Sequence, residues 1–175
     1  MFRGIVVLSV CALLSVPSLA VRADEEKVPL KDLPKAVADA VKKKFPKAKV
    51  VSASKEIEDE KTLYEVTLKD GEQNVQVTAT PEGKIVEIEK EIAAKDLPKE
   101  VTEALDEKYP KATIKKVEEV IATGKDLAYE VLLVTKDKKT VEVKFDAKGK
   151  VLKVENKDDE KEEGKKKKGE DKEDK

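Results

Sequence analysis

Four short segments of this chain occur twice, in one order and at nearly constant spacing, so its fold must be built from one unit used twice. Leu33-Pro34-Lys35-Ala36-Val37-Ala38-Asp39-Ala40-Val41 returns as Leu97-Pro98-Lys99-Glu100-Val101-Thr102-Glu103-Ala104-Leu105, and Phe45-Pro46-Lys47-Ala48 as Tyr109-Pro110-Lys111-Ala112, both at a spacing of 64. Tyr64-Glu65-Val66 returns as Tyr129-Glu130-Val131 at 65, and the segment from Gly83 to Glu89 as Gly149 to Glu155 at 66. The drift is one residue in each of two loops. Duplication explains this; chance does not.

Each unit opens with a helix. Leu33, Val37, Ala40, Val41 and Phe45 make one apolar stripe at helical period, and Leu97, Val101, Ala104, Leu105 and Tyr109 repeat it. Pro34 and Pro98 suit a first helical turn, where a missing N–H is harmless. Asp32 and Asp96 precede them at the positive helix end. Pro46 and Pro110 end each helix, because the residue before proline avoids helical ψ. Such short helices are marginal alone and need a sheet to lie on.

Alternation supplies that sheet. Val50 to Ile57, then Tyr64-Val66-Leu68, Val75-Val77-Ala79 and Val86-Ile88 read as four strands, with turns at Asp70-Gly71 and Pro81-Glu82-Gly83. The second unit offers Ile114 to Ile121, Tyr129-Val131-Leu133, Val141-Val143-Phe145 and Leu152-Val154. The expected class is therefore α+β: two tandem α-β-β-β-β repeats, each an antiparallel four-stranded sheet with one helix packed on a face. A unit of about 60 residues without disulfide or metal buries a small core. The two units are expected to share core or join edges as one cooperative body over residues 28–155, which would also hide open strand edges.

The ends read differently. A basic start, an apolar run from Ile5 to Val16 and small residues at Ala20 and Ala23 describe a secretory signal over residues 1–23, with cleavage after either alanine. Pro17 and Arg22 break the run short of a membrane span. Cys11 follows a leader too short, and a Val10 too bulky, for a lipoprotein. The expected division is a signal at 1–23, one repeat at 24–92, a second at 93–155, and a charged tail at 156–175. From Lys157 onward the tail has no apolar side chain, so it is expected to be disordered.

Composition removes most chemistry. The chain has no His and no Trp, and its one Cys lies in the leader, so Ser-His and Cys-His pairs, thiol nucleophiles and His-bearing zinc sites are unavailable. Carboxylate pairs and lysine bases remain available to a catalyst, but a non-enzyme is expected. Basic and acidic residues nearly cancel, 37 against 38, and only three Phe and three Tyr are present. Neither a basic footprint nor a stacking platform for nucleic acid exists.

The doubled Leu-Pro helix, the Phe/Tyr-Pro-Lys-Ala turn, the Tyr-Glu-Val strand and the Gly-Lys closing strand resemble the PepSY-like family, itself described as β-lactamase-inhibitor-like. The resemblance covers residues 30–155. It implies an exported, non-catalytic module without cofactor, and it suggests inhibition or restraint of a secreted or periplasmic enzyme. No contact residue of that inhibitor matches here, so a β-lactamase partner would be analogy of fold alone.

Individual features add little. Tyr64 and Tyr129 read as core aromatics, with Glu65 and Glu130 facing solvent. Glu56, Glu58, Asp59 and Glu60 form an acidic hairpin without the spacing of a calcium loop. Thr123-Gly124-Lys125 lacks a phosphate loop around it and reads as a hairpin turn. No catalytic, cofactor or metal residue is assigned. The expected function is binding of an exported protein through the sheet face and the hairpin loops 55–62 and 121–127, the alternative being a periplasmic carrier or sensor of a cation or small ligand.

Overall fold

The computed structural model describes residues 26–58 and 60–158. The leader, Asp59 and the tail beyond Asp158 lie outside the described residues.

One sheet organises the molecule. Strands β1 (Glu26–Val28), β2 (Lys49–Glu58), β3 (Lys61–Asp70), β4 (Gln73–Ala79), β5 (Ile85–Glu91), β6 (Thr113–Ala122), β7 (Ala128–Val134), β8 (Thr140–Asp146) and β9 (Val151–Asn156) pair in sequence order. Every pairing is antiparallel. Helices α1 (Lys35–Lys44) and α2 (Lys99–Lys108) are each introduced by a 3-10 turn, Leu30–Asp32 and Ala94–Asp96.

This corrects the expected class. Two separate four-stranded sheets, each with its helix, do not form; the protein is mostly β, a single nine-stranded meander carrying two helices. The physical reason is at the seam. Glu87 to Glu91 of β5 pair with Ala122 to Glu118 of β6, so neither strand is left with an open edge. Strand β1, with no alternation to mark it, adds to the outer side of β2 through Glu26 to Val28.

Both helices lie on one face. Val37 and Val41 of α1 join Val66, Leu68, Val75, Val77, Ala79 and Ile88 in one core cluster. Val101 and Leu105 of α2 join Val117, Tyr129, Val131, Leu133, Val141, Val143 and Phe145 in a second. Ile88 is paired with Ile121, which shares its strand face with Val117, so the two clusters sit on the same side of the sheet. The proline before each helix occupies its N-cap, and each helix ends at the aromatic preceding the next proline, where Phe45 N–H donates to Val41 O and Tyr109 N–H to Leu105 O.

Two glycines fix the helices against the sheet. Gly83 (φ 82°) and Gly149 (φ 78°) sit in the β4–β5 and β8–β9 turns. A Cβ at Gly83 would collide with the Ala36 carbonyl oxygen, and one at Gly149 with that of Glu100. Each turn therefore needs glycine both for its left-handed backbone and for the approach of the helix.

Candidate functional site

With both helices on one side, the opposite face of the sheet has no helix over it among the described residues. Strand alternation puts polar residues there: Glu65 on β3, Gln76 on β4, Glu87, Glu89 and Glu91 on β5, Glu118 on β6, Glu130 on β7, and Glu142 and Lys144 on β8. A bulge between Ile114 and Lys116 decides the membership of β6. It leaves Ile114 opposite Leu133 on the helix side and turns Lys116 and Glu118 to the other face. A matching bulge lies between Val50 and Ser52.

These side chains form a lattice that crosses the seam. Gln76 Nε2 donates to Glu65 Oε1 at 2.8 Å, and Lys116 Nζ donates to Gln76 Oε1 at 3.2 Å. Lys144 Nζ lies 2.8 Å from Glu130 Oε1 and 3.3 Å from Glu87 Oε2. Lys116 pairs with Glu118 at 2.7 Å, and Lys157 with Glu142 at 2.7 Å and Glu155 at 2.8 Å. Among the described residues Glu118 is the one charged residue in the buried set, with a side chain only 7% exposed, so its ammonium partner offsets a real desolvation cost.

Carboxylates outnumber lysines in the middle of this face. Oxygens of Glu118, Glu130 and Glu142 all lie within 4.8 Å of one another. Burial, reinforced by the charges of Glu130, Glu118, Glu87 and Glu65, pushes the Glu89 carboxyl up to about 8. Glu118 is raised too, chiefly by burial, against the opposing pull of Lys116. At the sheet edge the balance reverses. Burial raises Glu155, but hydrogen bonds from Lys153 and Lys157 outweigh it and hold the group at about 2.

The features singled out from sequence fall in different places. Tyr129 is in the second core and Tyr64 packs on the first. Glu65 and Glu130, expected to face solvent, are instead half-buried members of the lattice. Thr123, at the start of the β6–β7 loop, is tied to β5, its N–H donating to Val86 O at 2.8 Å and its hydroxyl to Ile85 O at 3.1 Å, while Lys125 N–H donates to Ala122 O at 3.1 Å within the turn. Glu60 takes a left-handed turn conformation (φ 63°) in the β2–β3 hairpin. Strand directions put both hairpins at one end of the sheet. Sequence reasoning missed Glu89, Lys116, Glu118, Glu142 and Lys144 as a set. Three glutamates at every second position of β5 were the available signal.

Comparison with known proteins now has a structure to rest on. The family described as "Putative beta-lactamase-inhibitor-like, PepSY-like" matches twice, at residues 19–87 and 80–153. The chain belongs to this family. Similar folds occur in a putative periplasmic protein of Bacteroides eggerthii (TM-score 0.61, 20% identity, covering 70% of this chain and 88% of that one) and a DUF2874 family protein of Bacteroides uniformis (0.61, 19%, 71% and 89%). A BLIP-like protein of Bacteroides fragilis is similar at a TM-score of 0.54, with 20% identity over 69% of this chain and 84% of that one. At these identities the likeness is one of fold. No protein with a curated description matches this chain. Among the described residues no helix is long and apolar enough to cross a membrane.

Proposed function

We propose that the protein is an exported, non-catalytic binding module that engages a basic surface of a secreted or periplasmic protein through the helix-free face of its sheet, restraining that partner's activity. One observation carries the reading: a lattice of polar side chains, richer in carboxylate than in lysine, spans the seam between the two halves, with Val120, Ala128 and Leu132 lying among them. Burial, reinforced by the charges of Glu130, Glu118, Glu87 and Glu65, raises Glu89 to about 8, and a cation docked among these carboxylates would offset their mutual repulsion, which favours a Lys- or Arg-bearing partner. Family membership and fold likeness to a BLIP-like protein support binding as the class of function. The hairpin loops 55–62 and 121–127, at one end of the sheet, are placed to frame the contact. Few aromatics are available as anchors, so the complex is expected to be salt-sensitive and of moderate affinity. Export follows the leader-like N-terminus and the periplasmic description of the relatives.

The test is affinity capture from the native cell envelope, run beside a variant carrying Glu89→Lys and Glu91→Lys. A protein held by the parent, lost by the variant and released by salt supports the reading. Equal capture by both, or capture of nothing, sinks it.

A second reading rests on the Glu118, Glu130 and Glu142 oxygens, whose closeness suits a hard divalent cation. Each of these carboxylates is already held by its own lysine, Lys116, Lys144 or Lys157. A cation would have to displace those ammonium groups. A rise in melting temperature on adding Ca²⁺, abolished by Glu130→Gln, would promote this reading over the first.

A further inference from the structure

On the other side of the sheet, a cavity of about 270 Å³ opens between α1 and the strands beneath it. Its walls are Leu33 and Val41 of the helical segment, Phe45 and Ala48 of the turn that follows, and Val66 and Leu68 of β3. The lining has one charged group, Lys42. That volume lies just under the roughly 300–1,000 Å³ of sites for drug-sized ligands, so a single short chain is the fitting guest.

The charge around it is one-sided. Through the turn, lysines alternate with wall residues: Lys44, then Phe45 and Pro46, Lys47, Ala48, Lys49 and Val50. Residues 30–50 hold seven lysines against two aspartates. The corresponding stretch of the second half, residues 94–114, holds four lysines against five acidic residues. There Leu105 and Asp106 stand where Val41 and Lys42 stand, a larger side chain toward the core and the opposite charge beside it. Packing a helix on this sheet therefore requires neither the smaller valine nor the lysines, and their concentration in one half calls for a separate reason.

We propose that this cavity binds a free, single-chain carboxylate of medium length, its tail against Val41, Phe45, Val66 and Leu68 and its carboxylate at Lys42. The site is independent of the carboxylate face across the sheet, and either can fail without the other. Burying an acyl chain should strengthen binding about fourfold per methylene until the cavity is full. The lysine supplies the preference for a negative head group.

The experiment is calorimetric titration of the full chain with hexanoate, octanoate and decanoate, and with decylammonium as the cation of matching length. Affinity should climb with chain length and level off, and decylammonium should bind at least about tenfold more weakly than decanoate. Lys42→Asp, a change at an exposed position, should cost decanoate about tenfold, with only the small fall in melting temperature expected of an acidic residue in the last turn of a helix. Val41→Leu should bring the plateau to a shorter chain, with folding checked by its melting curve. Binding that ignores chain length, or decanoate and decylammonium binding alike, overturns the proposal. So does tail-dependent binding that Lys42→Asp leaves unchanged.

Discussion

The two halves share a chain path but not an interior. In the second, Tyr129 and Phe145 are buried aromatics; in the first, the matching positions are the partly buried Tyr64 and the small Ala79. Leu105 likewise stands where the first half has the smaller Val41. The second half is the larger-cored one, and the first trades volume for a cavity and for lysines around it. Duplication thus preserved what the sheet needs, alternation and turn glycines, while letting each core and its charge diverge.

The sharpest way to break this comparison is Phe145→Ala, which gives the second half the residue type that the first carries at Ala79. Phe145 is fully buried among Val131, Val143 and their neighbours, so the loss should be about 3–5 kcal/mol by urea unfolding. A loss under about 1 kcal/mol would mean that the second core closes over the gap. The halves would then not differ in how tightly they are packed.

Where the halves agree, they should fail alike. Gly83→Ala and Gly149→Ala each place a methyl group against a helix carbonyl at a left-handed backbone position. Each should cost about 2–3 kcal/mol, from backbone strain plus the displaced helix. Equal losses by urea unfolding would show that both helices are seated by the same device. A tolerated change at Gly83 alone would show that α1 is free to lift, consistent with the looser interior beneath it.

The helices and strand positions were legible because their signals are local. Val37 and Val41, or Val75 and Val77, are placed by period alone, and the duplicated prolines mark where each helix stops. That the halves join edges was one of two expected ways of uniting them, but which strands meet was not legible. The β5–β6 seam is made by backbone pairing between Glu87–Glu91 and Glu118–Ala122, and backbone groups leave no trace in residue type. Strand β1 is three residues with one apolar side chain. The polar lattice was hidden for a different reason: the bulge before Lys116 reverses the face of every later residue on β6, so alternation counted from Ile114 puts Glu118 on the wrong side. The paired Tyr-Glu-Val segments did contribute, through Glu65 and Glu130, although their glutamates are half-buried and bonded.

The response to pH separates the middle of the polar face from its edge. Glu89, raised to about 8 from an ordinary value near 4.5, holds its proton in the folded protein over a range where the unfolded chain has lost it. Its contribution is complete below pH 4.5 and is lost as pH rises through 8, with a slope of at most about 1.4 kcal/mol per pH unit. Glu118, also raised, acts in the same direction. Glu155 has the opposite sign: held at about 2, it favours the folded state above pH 4.5 and loses that as pH falls toward 2. The melting temperature should therefore climb as pH is lowered from 8.5 to 5.5, then fall again below about 4. Glu89→Gln keeps the shape and removes the charge, so it should flatten the upper limb, raising the melting temperature at pH 8.5 while leaving pH 5 nearly unchanged. A variant whose upper limb is as steep as the parent's would show that the crowding of carboxylates at the seam is relieved by some group other than the proton on Glu89.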